Sequence, residues 1–312
     1  MPQARPDRQT LNWPLLISLL FICVLLLIAL ELRSSWKKSS VEVPVIKTTQ
    51  KISISDYRRS RNGYTELLKR YVSDAAQVNY SELQRNSESL RAFVAAMANL
   101  SESSYRQLNS GEKIAFWINS YNSLMLFLVV NSYPIKPSTA RSIVFPKNSI
   151  QQIPNVWKEQ FFTVMGRNIS LDHIENEMLR KNFGEPRIHM AIVCASISCP
   201  PLRNEAYKGD ILEQQLEDQS IKFLANENSF KIDKEGNIVY LSSIFKWFGA
   251  DFLSKYSTEN LFQGYTPVER ALLNFISNHI GDKNKKYLLS GGYTIQYLPY
   301  DWSLNEQKTA LR

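Results

Sequence analysis

The sequence predicts an α+β protein: one helix-rich globular domain with a small sheet and β-hairpins, preceded by an N-terminal transmembrane helix. Three observations lead to this prediction. An uninterrupted apolar run lies near the N-terminus, six later segments repeat apolar residues at helical spacing, and the strand-like segments form hairpins and do not alternate with helices. With 44% hydrophobic and 21% charged residues, the composition is that of a folded protein and excludes wholesale disorder.

Residues 13–31 are predicted to form the transmembrane helix, after a short basic tail at 1–12. The run PLLISLLFICVLLLIAL at 14–30 has no charge, and it approaches the roughly 20 residues that cross a ~30 Å hydrocarbon core. A cleaved signal peptide is the alternative. Its apolar region is shorter, about 7–15 residues, and the following LELRSSWKK has no small-x-small cleavage site. We therefore expect an uncleaved signal anchor, with the lipid bilayer as its partner.

The residues after the apolar run bear on the orientation in the membrane. Arg33, Lys37 and Lys38 follow the run closely and, by the positive-inside bias, favour a cytoplasmic domain. Long domains cross largely regardless of charge, however, and a short basic N-terminus before an apolar run is typical of exported anchors. We expect a single-pass protein whose globular domain is extracytoplasmic, which means periplasmic in a bacterium. Residues 32–61 are read as a basic, polar juxtamembrane stalk.

The distribution of charge argues against a nucleic-acid partner. The chain carries 37 basic and 29 acidic residues, a net charge of +8. Ten of the basic and four of the acidic residues lie within 1–61, so the tail and stalk hold most of the excess. A nucleic-acid-binding protein carries its positive charge on the folded surface that meets phosphate. We therefore expect no nucleic acid to bind.

Residues 62–312 are predicted to form one globular domain, because no repeat or break in composition divides them. Apolar periodicity predicts helices at about 63–76, 88–99, 112–131, 171–182, 209–225 and 267–279. Hairpins are predicted at 161–171 and 229–241, a covered central strand at 187–194, and a short last strand at 293–298.

The helix at 112–131 carries a polar stripe on an otherwise apolar surface. At 100° per residue, Glu112, Ala115, Asn119 and Asn122 fall within a sector about 80° wide. Two interpretations remain open: the polar groups cap turns and bond neighbouring backbone, or they line a pocket. Polar residues interrupt the apolar run, so we expect a buried core helix and no second membrane span.

The segment RIHMAIVCASISCPPL at 187–202 places His189, Cys194 and Cys199 before two prolines. Cysteine with histidine is the minimum for a thiolate nucleophile with a general base. Along an extended strand, however, His189 and Cys194 would lie about 16 Å apart and on opposite faces. His173 and His279 are therefore alternative bases, and a site without a base is a further alternative.

Three interpretations of the two cysteines remain open. In an exported domain, Cys194 and Cys199 can close a small loop as a disulfide. They can instead be reduced core thiols that act as small hydrophobes. The third interpretation is catalysis or metal binding, of which metal is the weaker branch because the spacing is long for a zinc knuckle and no second pair follows. We expect no metal, and without a glycine-rich phosphate loop we expect no nucleotide cofactor.

Long strings of this sequence resemble the family catalogued as domain of unknown function 547. The strings are EKIAFWINSYN at 112–122, ISLDHIENEMLR at 169–180, PRIHMAIVCASISCPPL at 186–202, EAY at 205–207, LSSIFKWFGADF at 241–252 and YDWSLN at 300–305. Carried over position by position, the family pattern includes Glu112, Lys113, Asn119, Asn122, Glu175, His189, Cys194, Cys199, Pro200, Asp251, Asp301 and Trp302. The resemblance implies a domain boundary and a set of residues to watch, but no settled activity. Bacterial relatives often carry an export signal, which supports the extracytoplasmic orientation.

These observations lead to two functional hypotheses. In the first, the domain is a thiol-dependent hydrolase or acyl/peptidyl transferase. Cys199 is the nucleophile because the loop before Pro200 exposes it better than a strand exposes Cys194, and His189 is the base or orienting group. Glu112, Asn119 and Asn122 orient the base or bind a carbonyl group, and the family pattern adds Lys113, Asp301 and Trp302 as substrate-binding candidates. In the second hypothesis, the domain is a non-catalytic binding module with structural cysteines.

Overall fold

The computed structural model describes residues 50–307. The predicted tail and transmembrane helix, and most of the predicted stalk, lie outside the described residues. In chain order, the α-helices are α1 Ile54–Tyr71, α2 Tyr80–Arg85, α3 Glu88–Asn99, α4 Glu102–Arg106, α5 Ser110–Ser132, α6 Leu171–His173, α7 Lys181–Phe183, α8 Ile188–Ala191, α9 Leu212–Leu224, α10 Ser243–Phe248, α11 Leu253–Tyr256, α12 Pro267–His279 and α13 Asp282–Ser290. A π-helical segment, Ile174–Arg180, joins α6 to α7, and 3-10 turns occur at Arg141–Ile143, Ile150–Gln152 and Gly249–Phe252.

The described residues form a helix-rich α+β fold with two small sheets, as predicted. Strands β1 Phe161–Val164 and β2 Arg167–Ser170 form the first hairpin, and β3 Phe230–Asp233 and β4 Ile238–Leu241 form the second. The predicted last strand is β5, Thr294–Tyr297, which pairs in parallel with β4. Both predicted hairpins and the helices predicted at 88–99 and 267–279 are therefore confirmed.

Helix α5 is the centre of the larger of two hydrophobic clusters. Its residues 114–130 are all buried, and a capping box between Asn109 and Glu112 fixes its first turn. Among the described residues, α5 is the one helix long and apolar enough to cross a bilayer, but 89% of its most apolar window is buried within the protein. This burial agrees with the core helix predicted for this segment. The second cluster surrounds α12 and includes residues of β3 and β4.

The prediction of a strand at 187–194 is wrong. Residues 188–191 instead form the single helical turn α8, closed by a hydrogen bond from the Ile192 amide to the Ile188 carbonyl, and the chain is extended only after it. Ile188, His189 and Met190 are all buried. A short segment that is buried on every side has no periodicity, so sequence alone cannot distinguish a covered strand from a buried helical turn.

The folded region begins before the predicted boundary at residue 62. Helix α1 starts at Ile54 because Ser53 and Asp56 form a capping box, whereas the periodicity predicts a start near 63. Tyr57 on the first turn of α1 is 3% exposed and belongs to the main core. Residues 54–61, which the sequence assigns to the stalk, are therefore part of the folded domain.

Candidate functional site

A cavity of about 330 Å³ brings both described cysteines together with acidic and aromatic side chains. Cys194, Cys199 and His189 line it, together with the acidic residues Asp172 and Glu175. Aromatic rings form most of the remaining lining: Tyr121, Trp157, Trp247, Phe248, Tyr300 and Trp302. The cavity has the character of a small-molecule or side-chain binding site, with mainly apolar walls and a few convergent polar groups.

The sulfur of Cys194 is surrounded by hydrogen-bond donors. The Cys199 Sγ lies 2.7 Å from it, the Ser196 Oγ 3.0 Å and the Tyr300 hydroxyl 3.1 Å. Between the two cysteines, Ala195 adopts a left-handed backbone conformation with φ of 61°. Such a conformation is uncommon for a residue other than glycine. It turns the chain so that the Ser196 backbone N–H also reaches the Cys194 sulfur.

These donors make Cys194 the more acidic thiol of the pair. Burial raises the pKa of Cys194, but the hydrogen bonds from Cys199, Ser196 and Tyr300 outweigh it and lower the pKa to about 7. Burial raises the pKa of Cys199 well above its usual value, and the neighbouring Cys194 raises it further. At neutral pH, Cys194 is therefore partly ionised, whereas Cys199 stays protonated and can donate to it.

Glu175 is the acidic group whose pKa, like that of Cys194, is shifted to about 7. It lies in the π-helical segment, and irregular helical turns of this kind occur frequently at functional sites. Burial raises the pKa of its carboxyl group to about 7, and the nearby Cys194 and Asp172 act in the same direction. A carboxyl group with such a pKa is able to give and take a proton at neutral pH.

His189 is held at the edge of this site by Asp251. The Nε2 atom of His189 lies 2.8 Å from Asp251 Oδ2, and Arg180 donates to both oxygens of the same carboxylate, at 2.6 and 2.9 Å. The imidazole ring also stacks on Phe248, with 4.2 Å between ring centroids. Burial lowers the pKa of His189, although Asp251 partly opposes this. His189 is therefore a neutral imidazole whose ring proton lies on Nε2, in the bond to Asp251.

Asn119 and Asn122 bond backbone groups and do not line the cavity. The Asn122 amide group accepts a hydrogen bond from the Val193 N–H and donates one to the Ala191 carbonyl, both at 2.9 Å. Asn119 bonds the N–H and the carbonyl of Tyr207 in the same manner, at 2.8 Å each. Both carboxamides therefore fit the interpretation of the polar stripe in which its polar groups bond neighbouring backbone. Asn122 fixes the chain immediately before Cys194.

The other predicted site residues do not line the cavity. Glu112 completes the capping box of α5 and pairs with Arg58 at 2.6 Å. One of its oxygens accepts a hydrogen bond from the Asn109 N–H at the helix start, and the other accepts one from Arg58. Lys113 sits over the Tyr105 ring at 5.7 Å. Asp301 is exposed, and it accepts a hydrogen bond from the Ser303 N–H. The structure therefore unites Cys194, Cys199, His189 and Trp302, and it separates them from Glu112, Lys113 and Asp301.

Three details of the sequence-based site are corrected. Cys199 is only 7% exposed whereas Cys194 is half-buried, so the loop before Pro200 does not make Cys199 the more accessible thiol. The alternative bases lie elsewhere, because His173 is exposed and His279 bonds the Phe275 carbonyl and Glu217. Both described cysteines are free thiols.

The sequence leads us to expect no metal, and the structure bears on this only within the residues that it describes. Within residues 50–307, no group of three or more His, Cys, Asp or Glu side chains is arranged to hold a metal ion.

Several residues in the cavity or beside it have no role predicted from the sequence. Glu175 and Asp251 belong to the family pattern, but they lie 19 and 57 positions from Cys194, and nothing in their spacing connects them to it. Tyr300 lies in the YDWSLN string two positions before Trp302, but the sequence predicts no role for it. The available signal was the set of motif strings itself, because five of these separated strings supply cavity residues.

The fold and the site define an α+β domain with an acidified thiol in an aromatic cavity. Residues 105–224 match the sequence model of the family described as "Protein of unknown function, DUF547", and this chain contains a domain of that family. The matched region includes Glu175, His189, Cys194 and Cys199. No curated protein and no solved structure is a match for the chain.

Proposed function

We propose that this protein is a membrane-anchored, extracytoplasmic thiol enzyme that acts as a hydrolase or an acyl or peptidyl transferase. One observation carries the proposal: the hydrogen-bonded Cys194 thiol and the Glu175 carboxyl group line one cavity, and the pKa of each is brought to about 7. Pairs of titratable groups tuned toward neutral pH in a cavity are typical of active sites.

In the first half of the reaction, the Cys194 thiolate attacks the carbonyl carbon of an ester, thioester or amide. A carbon–sulfur bond forms, and the carbonyl electron pair moves onto oxygen. When this tetrahedral intermediate collapses, the bond to the leaving group breaks. The protonated Glu175 donates its proton to the departing alkoxide, thiolate or amine, which leaves an acyl thioester on Cys194.

In the second half, water or an acceptor nucleophile attacks the thioester. The Glu175 carboxylate accepts the proton that the nucleophile loses, and the Cys194 thiolate leaves with the electron pair of the carbon–sulfur bond. Cys199 and Tyr300 again stabilise the thiolate by hydrogen bonding. Water as acceptor makes the protein a hydrolase, and an amine or hydroxyl acceptor makes it a transferase.

His189 acts as a positioning residue in this scheme. Its Nε2 atom is occupied by Asp251 and its ring packs on Phe248, so it shapes the cavity next to the thiols. This assignment revises the sequence hypothesis, in which Cys199 is the nucleophile and His189 the base. The membrane anchor remains the predicted helix at 13–31, whose length and whose uncharged apolar run at 14–30 support the proposal.

The test is formation of an acyl-enzyme. The full chain in detergent is incubated with a panel of chromogenic esters, thioesters and peptide anilides, and the adduct is located by intact and peptide mass spectrometry. Wild type is expected to gain the acyl mass on Cys194 and to turn over at least one compound. Cys194→Ala is expected to lose both signals, and Glu175→Gln to turn over about 10²–10⁴-fold more slowly.

Cys199→Ala is the matched control, because it removes the neighbouring thiol but keeps the proposed nucleophile. This variant is expected to retain acylation at a reduced rate. If Cys194→Ala is acylated as fast as wild type, or no compound acylates a Cys194 that iodoacetamide alkylates readily, the enzyme proposal fails. The non-catalytic binding module is then the better description.

A further inference from the structure

The connection between α5 and β1 carries an unusual charge pattern. Residues 133–160 contain four basic side chains and one acidic side chain, Glu159, next to β1. The four are Lys136, Arg141, Lys147 and Lys158. In contrast, residues 62–312 as a whole contain basic and acidic residues in nearly equal number. This connection is therefore a local concentration of positive charge on the globular domain.

Two apolar side chains project from the same connection. Ile143 is 84% exposed and Val144 is 74% exposed, which makes them the most exposed large hydrophobic residues in the part of the chain that the structure describes. They follow Arg141 in and after a 3-10 turn. An adjacent pair of such residues, rimmed by polar side chains, is typical of an interaction site.

Contacts on both sides of this apolar tip, Ile143 and Val144, hold it in its exposed position. The buried side chain of Gln152 accepts a hydrogen bond from the Ser138 N–H and donates one to the Pro146 carbonyl, both at 2.9 Å. On the other side of the tip, the Phe145 ring meets Trp302 edge to face, with 6.4 Å between centroids. The connection is anchored before and after the tip, which holds the two apolar residues outward.

We infer that the apolar tip inserts into the interface of an anionic lipid bilayer while the surrounding basic side chains pair with lipid headgroups. Apolar side chains flanked by lysine and arginine, with no acidic residue between Lys136 and Lys158, match the layered chemistry of such a surface. A bilayer is also within reach, because the same chain carries the predicted anchor at 13–31. The lipid contact rests on the proposed function only through that anchor, whereas its consequence for the substrate also rests on the proposed thiol chemistry.

The contact has a consequence for the substrate. Phe145 next to the tip packs on Trp302, which lines the thiol cavity. Arg141 and Lys158 line a second cavity of about 320 Å³, which shares Trp157 and Asp172 with the first. An acyl donor held in the membrane would therefore reach the thiol cavity along the basic connection. Amphiphilic acyl compounds are the substrates to test first.

Site-specific photo-crosslinking tests the contact in the full chain. p-Benzoylphenylalanine replaces Val144, and in a matched control it replaces Ile221, which is 46% exposed on α9. Each variant is reconstituted into vesicles of phosphatidylcholine, alone or mixed with phosphatidylglycerol, and lipid adducts are quantified by mass spectrometry. We expect adducts at position 144 at least tenfold above those at 221, and more in the mixed vesicles.

A charge variant separates electrostatic attraction from simple proximity. In Lys136→Gln/Lys147→Gln, the yield at position 144 in mixed vesicles is expected to fall by about fivefold or more, toward the yield in phosphatidylcholine. Equal yields at 144 and 221, or adducts at 144 with protein and not with lipid, would overturn the inference.

The anchor is measured separately by alkaline extraction of the vesicles. A chain that is extracted contradicts the anchor, yet lipid adducts at 144 would still support the tip contact. A chain that resists extraction but gives no lipid adduct at 144 retains its anchor and contradicts the inference.

Discussion

The sulfur of Cys199 lies 2.7 Å from the sulfur of Cys194 and donates to it, so that one thiol of the pair stabilises the anion of the other. The residues next to each cysteine in the sequence do not predict this difference between the two thiols. The loop 194–199 brings the two sulfurs together, and Tyr300, more than a hundred residues further along the chain, completes the arrangement at 3.1 Å.

Alkylation should be fast at Cys194 and slow at Cys199. At pH 7, a thiol with a pKa of about 7 is about half ionised, whereas one near 9 is about 1% ionised. We expect iodoacetamide to modify Cys194 about tenfold faster than a free thiol, with the rate rising through pH 7. In Cys199→Ala, the midpoint should move up by about one pH unit, because a hydrogen bond to the thiolate is lost. A Cys194 rate that rises only near pH 9 in wild type would contradict the assignment.

Glu175→Gln should stabilise the fold at high pH. The carboxyl group has a pKa of about 7 in the folded protein and 4.5 as its ordinary value. The folded state therefore retains a proton that the unfolded state releases, and the stability contributed by this group is lost as the pH rises from about 4.5 to 7. At pH 8, the variant should be more stable than wild type by up to about 3 kcal/mol.

Chemical unfolding of the detergent-solubilised chain at pH 4 and pH 8 measures this effect. The two proteins should have similar free energies of unfolding at pH 4, where the carboxyl group is protonated in both states. Glu177→Gln is the matched control on the same π-helical segment, because Glu177 is exposed and paired with Lys181. A wild-type protein that gains stability over Glu175→Gln between pH 4 and pH 8 would contradict the raised pKa.

Asn122→Ala should destabilise the domain by about 2–4 kcal/mol. The substitution leaves the buried Val193 N–H and Ala191 carbonyl without partners, and each costs about 1–3 kcal/mol. Asn131→Ala on the same helix is the control. Its amide bonds one carbonyl, that of Phe127, at the less buried end of α5, and the loss should stay below about 1 kcal/mol. Equal losses in urea unfolding would show that Asn122 has no special role.

Arg187→Ala should be strongly destabilising, by about 3–5 kcal/mol, because it leaves the largely buried Glu185 carboxylate without its buried cation. Arg187 is 2% exposed and pairs with Glu185 at 2.7 Å and Glu213 at 2.6 Å. Arg85→Ala, at an exposed pair with Glu82, should change the stability by no more than about 0.5 kcal/mol. Urea unfolding of both variants at pH 7 measures the contrast.

The same cluster predicts sensitivity to acid. Burial opposes ionisation of Glu185, but hydrogen bonds from Arg187 and Lys255 outweigh it and lower its pKa to about 2. Its stabilising contribution is complete above pH 4.5 and is lost as the pH falls toward 2. Arg187→Ala should lose less stability than wild type over this interval. A parallel loss in both proteins would contradict the assignment.

The local patterns in the sequence were reliable wherever one element buries one face. Helix α12 has the predicted bounds, because Thr266 caps it and apolar residues recur at helical spacing. Both hairpins likewise follow from alternating residues around a turn. The segment 187–194 failed for the opposite reason: it is buried on all sides, so its residues have no period that reports a helix or a strand.

By itself, the sequence determined the α+β class and the buried helix α5, and it singled out Cys194, Cys199, His189 and Trp302, which line one cavity. It also predicted the anchor at 13–31, because an uncharged apolar run is a local property. Only the tertiary structure decided which thiol is the anion, that Asn119 and Asn122 support backbone, and that Glu175 replaces Glu112 as the carboxyl group near the thiols. The physical reason is that pKa values and cavities depend on distances between atoms far apart in the chain, which periodicity and spacing do not encode.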